Sequence, residues 1–457
     1  MIDPLSPKAQ HQFSLAEQYL QQGRHQAALA CFKQALKAAP RHPFIMFRIG
    51  IANHLLELRD EAIRWYRKAM TIDNNLGEAH NNLGKALLEQ RRFQEAADAF
   101  TEAGRLLPGS PVPPASQASA LLGMGRLDQA EQLCKDALQR DPDYAEAHWN
   151  LALILLKQGH YAEGWQEYEW RWRTPSFPSP HRCFPYPAWD GRQPLQGKRI
   201  VIHAEQGYGD TIQAARYLPL LEQQGSQLIV ACQPPLVRLL SSVSRTIQVL
   251  PFGSELPTAD YHLPLFSLPG LFSPDITAIP SSYPYLQPPV ERLQHWSALC
   301  EETAAGYRVG LAWSGKPVPD PGRSIPPQLL APLAQVTDIS WFSLLVADQP
   351  RQSGVRLPFP MQDFSGQISD FADTAALISH LDLVISIDTA VAHLAGALGV
   401  PVWLLLPTPC DWRWMIDRND SPWYPTMRLF RQAAPGDWKS AIAAVTDRLN
   451  SHIRLDN

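Results

Sequence analysis

The chain has 457 residues, a formal net charge of -4 and a hydrophobic fraction of 45%. That length leaves room for two or three domains, each able to bury its own core, and the apolar content excludes a disordered polypeptide. The small acidic excess argues against a general nucleic-acid binder, which carries a basic surplus.

The opening MIDPLSPKAQ lacks the basic-then-apolar pattern of a secretory signal, and no apolar run approaches the roughly 20 residues that span a bilayer. Cys31, Cys134, Cys183, Cys232, Cys300 and Cys410 are scattered with no C-x-x-C spacing. Free thiols in a reducing compartment follow, and the expected location is cytoplasmic.

The first third of the chain repeats with a register of 34 residues. Small residues fall at Ala16, Gly50, Gly84, Ala118 and Ala152, and a second small set falls at Ala28, Ala62, Ala96, Ala130 and Gly164. A bulkier position follows at Phe32, Tyr66, Phe100, Cys134 and Tyr168, and the copies close on Pro40, Asn74, Pro108 and Pro142. Small side chains let two antiparallel helices approach, an aromatic fills the gap between neighbours, and proline stops the second helix. This is the tetratricopeptide pattern, in five copies. Its groove is expected to dock a protein or peptide; the alternative is a dimerisation or structural module, which leaves homo-oligomerisation open. In the fifth copy Trp165, Tyr168 and Trp172 form one apolar stripe at helical spacing. A terminal repeat usually shows a polar outer face, so the next domain is expected to cover this one.

Residues 174–195 are proline-rich and aperiodic, and read as an extended connector whose aromatics argue against a free linker. From Lys198 the pattern changes to short buried strands alternating with helices. KRIVIHAE, SQLIVACQ, YRVGLAWS, ISWFSLLVA, DLVISIDT and VPVWLLLP read as strands. The stretch near 287–305 reads as a connector between two such series. Two Rossmann-like units result, with ligands expected at the carboxyl ends of their strands.

Three runs sit at such ends. The turn Gln206, Gly207, Tyr208, Gly209 and Asp210 opens a helix; Asp210 reads either as its cap or as a general base. A loop carrying Ser314, Lys316, Arg323 and Ser324 follows the strand that ends at Trp313; its cations suit phosphate oxygens, and an ordinary solvated loop is the alternative. Asp388 and Thr389 end a buried strand, and Ala390 and His393 follow on a small-residue helix whose free N–H groups suit a phosphate. His393 reads either as a binding residue or as a structural one. Asp411 and Trp412, in DWRW, follow the last strand and are expected at the cleft; the tryptophans read equally as core.

These runs, in this order, resemble the heptosyltransferase-like glycosyltransferases (family 9-like). The longer segments YEWRW, HAEQGYGDTIQAARYLPLL and DTAVAHLAGALG resemble bacterial tetratricopeptide-repeat glycosyltransferases, some of which glycosylate flagellin. The resemblance implies an α-solenoid of tetratricopeptide repeats followed by an α/β GT-B fold with two Rossmann-like lobes. The domains are then a repeat array over 9–173, the connector over 174–195, an acceptor-side lobe over 196–290 and a nucleotide-sugar-side lobe over 306–457 that ends in a helix. It implies Asp210 as catalytic base, with Arg323, Thr389 and His393 as donor-phosphate contacts, and a nucleotide-sugar as co-substrate and not a cofactor. No DxD motif lies in the catalytic region, so the sequence requires no metal. Ala390 departs from the family's glycine, which bears on donor choice. The implied function is sugar transfer to a protein acceptor held by the repeats. The rivals are transfer to a lipid-linked or polysaccharide acceptor and a non-catalytic scaffold.

Overall fold

The computed structural model describes residues 5–175, 177–273, 275–303, 306–316, 320–345 and 357–456. Contacts divide the chain into two compact units, with the boundary after Leu155.

The first unit is helical. It holds α1 (Pro7–Gln21), α2 (His25–Ala38), α3 (Pro43–Leu55), α4 (Arg59–Ile72), α5 (Gly77–Glu89), α6 (Phe93–Leu106), α7 (Val112–Gly123), α8 (Leu127–Arg140) and most of α9 (Ala145–Gln158). Each of α1 to α7 packs on its successor. The repeat positions explain why. Ala16, Ala28, Ala62, Ala96, Ala118, Ala130, Phe32, Tyr66, Phe100 and Cys134 are all 0% exposed. Gly50 lies directly against Tyr66 and Gly84 against Phe100, so a side chain at either glycine would drive the helices apart. Pro40, Asn74, Pro108 and Pro142 each fall just beyond the last residue of α2, α4, α6 and α8, where the N–H that the prolines lack costs nothing.

The second unit opens with α10 (Tyr161–Tyr168), the closing helix of the fifth repeat. Two separate sheets follow. The first series is β1 (Arg199–His203), α11 (Tyr208–Ala214), α12 (Leu218–Gln223), β2 (Gln227–Cys232), α13 (Val237–Leu240), β3 (Gln248–Pro251), β4 (Tyr261–Pro264) and α14 (Leu268–Phe272). After α15 (Val290–Thr303) the second series runs β5 (Tyr307–Ala312), β6 (Ile339–Ser343), α16 (Phe371–Ile378), β7 (Leu383–Ile387), α17 (Ala390–Ala397), β8 (Val402–Leu406), β9 (Met427–Arg431) and α18 (Trp438–Asp456). The strands pair in parallel throughout, in the orders β3-β2-β1-β4 and β6-β5-β7-β8-β9. The strand order reverses beside β1 in one sheet and beside β5 in the other. Ligand crevices in such sheets open at these reversals, at the carboxyl ends of β1 and β4 and of β5 and β7.

One expectation changes. The stretch read as a connector over 287–305 contains the helix α15, whose Trp296 and Cys300 are fully buried one turn apart. Its Arg292 pairs with Asp373 of α16, so it packs against the second series. The proline-rich segment is laid on the first sheet: Ala188 bridges to His262 of β4, and Trp189 N–H donates to the His262 carbonyl at 2.9 Å. The reading of ISWFSLLVA as a strand extends past Leu345 onto residues outside the described ones.

The aromatic stripe of the fifth repeat is covered within this unit. Trp165 meets Phe266 and Trp412, and the residue is 3% exposed. Arg171, in the turn after α10, makes a two-pronged ion pair with Glu205 at 2.8 and 2.9 Å, both side chains essentially buried. The pair ties the end of the fifth repeat to the end of β1.

Candidate functional site

In the second sheet, β5 and β7 deliver their polar residues past their buried carboxyl ends. The loop after β5 begins with half-buried Ser314 and turns at Gly315, whose N–H donates to Ser324 Oγ at 3.1 Å. Arg323 spans the crevice. Its Nε and Nη2 donate to the Lys316 carbonyl at 3.2 and 2.9 Å, and its Nη1 donates to the Asp388 carbonyl at 3.1 Å. Gly315 lies beneath both sides of this bridge: a methyl there would come 3.1 Å from Thr389 Cγ2 and 3.2 Å from Arg323 Nε. Ser314, Lys316, Arg323, Ser324, Asp388 and Thr389 are thereby assembled around one point. Lys316 itself is exposed, and residues 317–319 of the same loop lie outside the described ones.

Thr389 holds the N-cap position of α17 in extended conformation, but its side chain makes no capping hydrogen bond; its Oγ1 is 3.3 Å from Ser386 Oγ. It therefore leaves the first N–H groups of α17 uncapped, with the positive end of the helix toward the crevice. Ala390 begins the helix. His393, one turn on, is 5% exposed; its Nδ1 is 2.8 Å from Tyr424 Oη and its Nε2 is 3.9 Å from Asp388 Oδ1. Burial, reinforced by the cations of Arg413 and Arg216, drives its pKa far below the ordinary value, so the ring is neutral. Burial and the nearby Asp411 push the Asp388 carboxyl up to about 6, against a 2.9 Å hydrogen bond from Trp414 Nε1.

The turn after β1 faces this assembly. Gln206 takes the left-handed conformation (φ 60°), with its N–H on Ser179 Oγ at 2.7 Å and its side-chain amide on Tyr168 Oη at 2.9 Å. Gly207 N–H donates to Asp210 Oδ2 at 2.7 Å, so Asp210 does cap α11. The Tyr208 ring packs on Phe371 at 5.0 Å and lies 5.9 Å from Lys316 Nζ. Gly209 sits against His393 and Ala390, which brings the starts of α11 and α17 together.

Arg413 carries no mark of its role in the sequence, although it lies inside DWRW. It is 6% exposed and donates to Asp210 Oδ1 at 2.5 Å, Asp411 Oδ1 at 2.8 Å and Gln213 Oε1 at 2.5 Å. Burial raises the pKa of Asp210, with Arg413 acting in the opposite direction. Arg216 is likewise silent in the sequence. It is 3% exposed among the rings of Tyr283, Tyr285, Trp423 and Tyr424, and donates to the Trp423 carbonyl at 2.6 Å.

Two expected site residues lie elsewhere. Trp313 continues the inward row Val309–Leu311 into the core beneath α18, because alternation along β5 sends it there and not toward the crevice. Trp412 is 5% exposed and packs edge-on against Trp165 and Trp423, so it belongs to the core under the fifth repeat. Its neighbour Trp414 is itself fully buried and supports the crevice from beneath, donating to Asp388 Oδ2 at 2.9 Å and meeting the His393 ring at 5.4 Å.

Known proteins match both the repeats and part of the second sheet. Tetratricopeptide-repeat models match residues 7–75, 77–110 and 121–164, and the glycosyltransferase family 9 (heptosyltransferase) model matches residues 367–405, which cover α16, β7, α17 and most of β8. Protein FlbA of Caulobacter vibrioides is 27% identical over 86% of this chain and 70% of its own length. The TPR repeat-containing thioredoxin TTL4 of Arabidopsis thaliana is 34% identical over only 17% of this chain and 11% of its own. Similar solved structures include MamA from Desulfovibrio magneticus RS-1 (TM-score 0.33, 18% identity, 37% of this chain and 94% of that one). A thermophilic TPR protein from Thermus thermophilus gives TM-score 0.32 at 23% identity over 35% of this chain and 88% of that one. Together the repeat and family 9 matches support a glycosyltransferase. The chain carries tetratricopeptide repeats and, over residues 367–405, matches the glycosyltransferase family 9 (heptosyltransferase) model.

Proposed function

We propose that the two lobes form a GT-B type enzyme that transfers a sugar from a nucleotide-sugar to a hydroxyl of a protein held by the repeats, without a metal. The observation that carries this reading is the Arg323 bridge between the Lys316 and Asp388 carbonyls, at the crevice where the β5–β7 strand order reverses. In this reading the guanidinium, the Lys316 ammonium and the uncapped start of α17 stabilise the leaving phosphate.

The acceptor oxygen attacks the anomeric carbon as that carbon's bond to the phosphate oxygen breaks, and the nucleotide leaves with the bonding electrons. Asp210 takes the hydroxyl proton. Each of its oxygens spends one acceptor site, on Gly207 N–H and on Arg413, and retains a further lone pair for that proton. Burial supports the role by raising its proton affinity above that of an exposed aspartate.

The resemblance to flagellin-modifying proteins makes flagellin the first acceptor to test. Mass spectrometry of flagellin and other candidate acceptors, from cells with and without this chain, reads the reaction directly. Glycan mass that disappears from a polypeptide with the chain supports the proposal; identical protein masses, with a change confined to lipid-linked or polysaccharide glycans, would reject the protein acceptor.

A further inference from the structure

Away from the β1–β4 crevice, the carboxyl ends of β1, β2 and β3 border a cavity of about 190 Å³. Its lining includes Arg182 and Phe184 from the proline-rich segment, His203 from β1, Ala231 from β2, and Pro251 and Phe252 at the end of β3. The Phe184 ring stacks on His262 at 4.5 Å and lies 4.8 Å from the His203 ring. The Arg182 guanidinium lies 3.6 Å from the centre of the Phe252 ring.

Two features of this cavity are unspent. His203 is 3% exposed, and neither of its ring nitrogens has a hydrogen-bond partner among the described residues; nor does Nδ1 of His262. Buried polar atoms in that condition are costly unless a water or ligand satisfies them. Arg182, half-buried, pairs with no carboxylate among the described residues, and no acidic residue lines the cavity. Burial, with the neighbouring His262 and Arg182, pushes His203 down to about 3, so its imidazole is a neutral donor–acceptor at ordinary pH. A guanidinium fork matches the paired oxygens of a phosphate or carboxylate. The volume is below the range of about 300–1,000 Å³ typical for larger small-molecule ligands, which suits one such group and a short attached fragment.

We propose that this cavity binds a phosphate or carboxylate group, with Arg182 as its clamp, His203 as its hydrogen-bonding partner, and Phe184 and Phe252 as apolar walls. The identification of that group as part of the acceptor rests on the glycosyltransferase reading; the anion site itself does not.

The test uses the full chain with its histidine rings labelled for NMR. Inorganic phosphate and, separately, acetate are titrated while the His203 and His262 signals are followed. Saturable movement of these signals with either anion is expected, and the stronger of the two identifies the chemistry. Arg182→Ala should weaken that binding about tenfold or more, the loss of a charge-assisted hydrogen bond. Arg182→Lys should weaken it less, and both variants should keep the wild-type melting temperature. Signals that stay still, as in a cavity that holds only water, or equal affinity in Arg182→Ala, would overturn the site. Arg323→Ala should leave this titration unchanged. A failure of the donor-site reading appears instead as unaltered nucleotide-sugar affinity in Arg323→Ala, which separates the two outcomes.

Discussion

Gly209 of α11 and His393 of α17 are in direct contact: a methyl group on Gly209 would lie 2.7 Å from His393 Cδ2 and 3.5 Å from the Ala390 Cα. The imidazole cannot retreat, since it is buried and held by Tyr424 Oη at 2.8 Å. Gly209→Ala should therefore destabilise the second unit by about 1–3 kcal/mol, the usual cost of overpacking. That cost outweighs the gain of up to about 1 kcal/mol from replacing glycine within a helix. Denaturant unfolding checks it: a lower midpoint with an unchanged slope is expected, and a higher midpoint would mean that the two helix starts separate freely.

Asp210→Asn tests the proposed base. The amide oxygen can still accept from Gly207 N–H, so the cap survives, whereas proton acceptance does not. Turnover should fall by about 10²–10⁴ with donor affinity retained. Arg413 keeps Asp411 as its remaining carboxylate, so a stability loss of about 1–3 kcal/mol should accompany the change. Transfer at near wild-type rate would leave Asp210 as a cap alone. Asp210→Ala, which removes the cap as well, should be less stable than the Asn variant by about 1 kcal/mol.

Arg323→Ala should weaken nucleotide-sugar binding by about 1.5–3 kcal/mol, measured by calorimetry. Because Arg323 also joins the Lys316 and Asp388 carbonyls, Arg323→Lys is the informative partner. It keeps the charge but loses the three-bond bridge between the two carbonyls. Unchanged affinity in both variants would remove Arg323 from the donor site.

The half-buried carboxyl of Asp388 gives a pH prediction of definite sign. Its pKa is raised from 3.8 to about 6, so between those values the folded chain binds more protons than the unfolded one. Stability from this group is full below about 4 and is lost as pH rises through 6. Asp388→Asn removes the dependence while keeping an acceptor for Trp414 Nε1. The melting temperature of the wild type minus that of Asp388→Asn should decrease from pH 4 to pH 6. His393 is neutral in both proteins, so its opposite dependence cancels in the difference. A difference that stays flat or grows with pH would show that Asp388 is not desolvated.

The sequence by itself determined the repeats. Small and bulky residues at a 34-residue interval are a local pattern, and each copy packs on its neighbour in the chain, so the spacing of Ala28, Phe32 and their equivalents is enough to disclose their burial. The alternation of strands and helices, and the polar turns at Gln206–Asp210 and Asp388–Thr389, were legible for the same reason: strand ends are marked by where an apolar run stops. Short β3 and β4, of four residues each, carry too few to show a period. The tertiary structure alone decided which polar and aromatic residues meet. Trp313, Trp412 and Trp414 are alike in sequence and all buried, and only the direction of each backbone segment sets the Trp414 N–H on Asp388. Arg413 and Asp210 lie 203 residues apart, and Arg171 and Glu205 lie 34 apart. Periodicity and spacing report what a residue does to its neighbours along the chain; they carry no record of the charge that a closing fold will set opposite it.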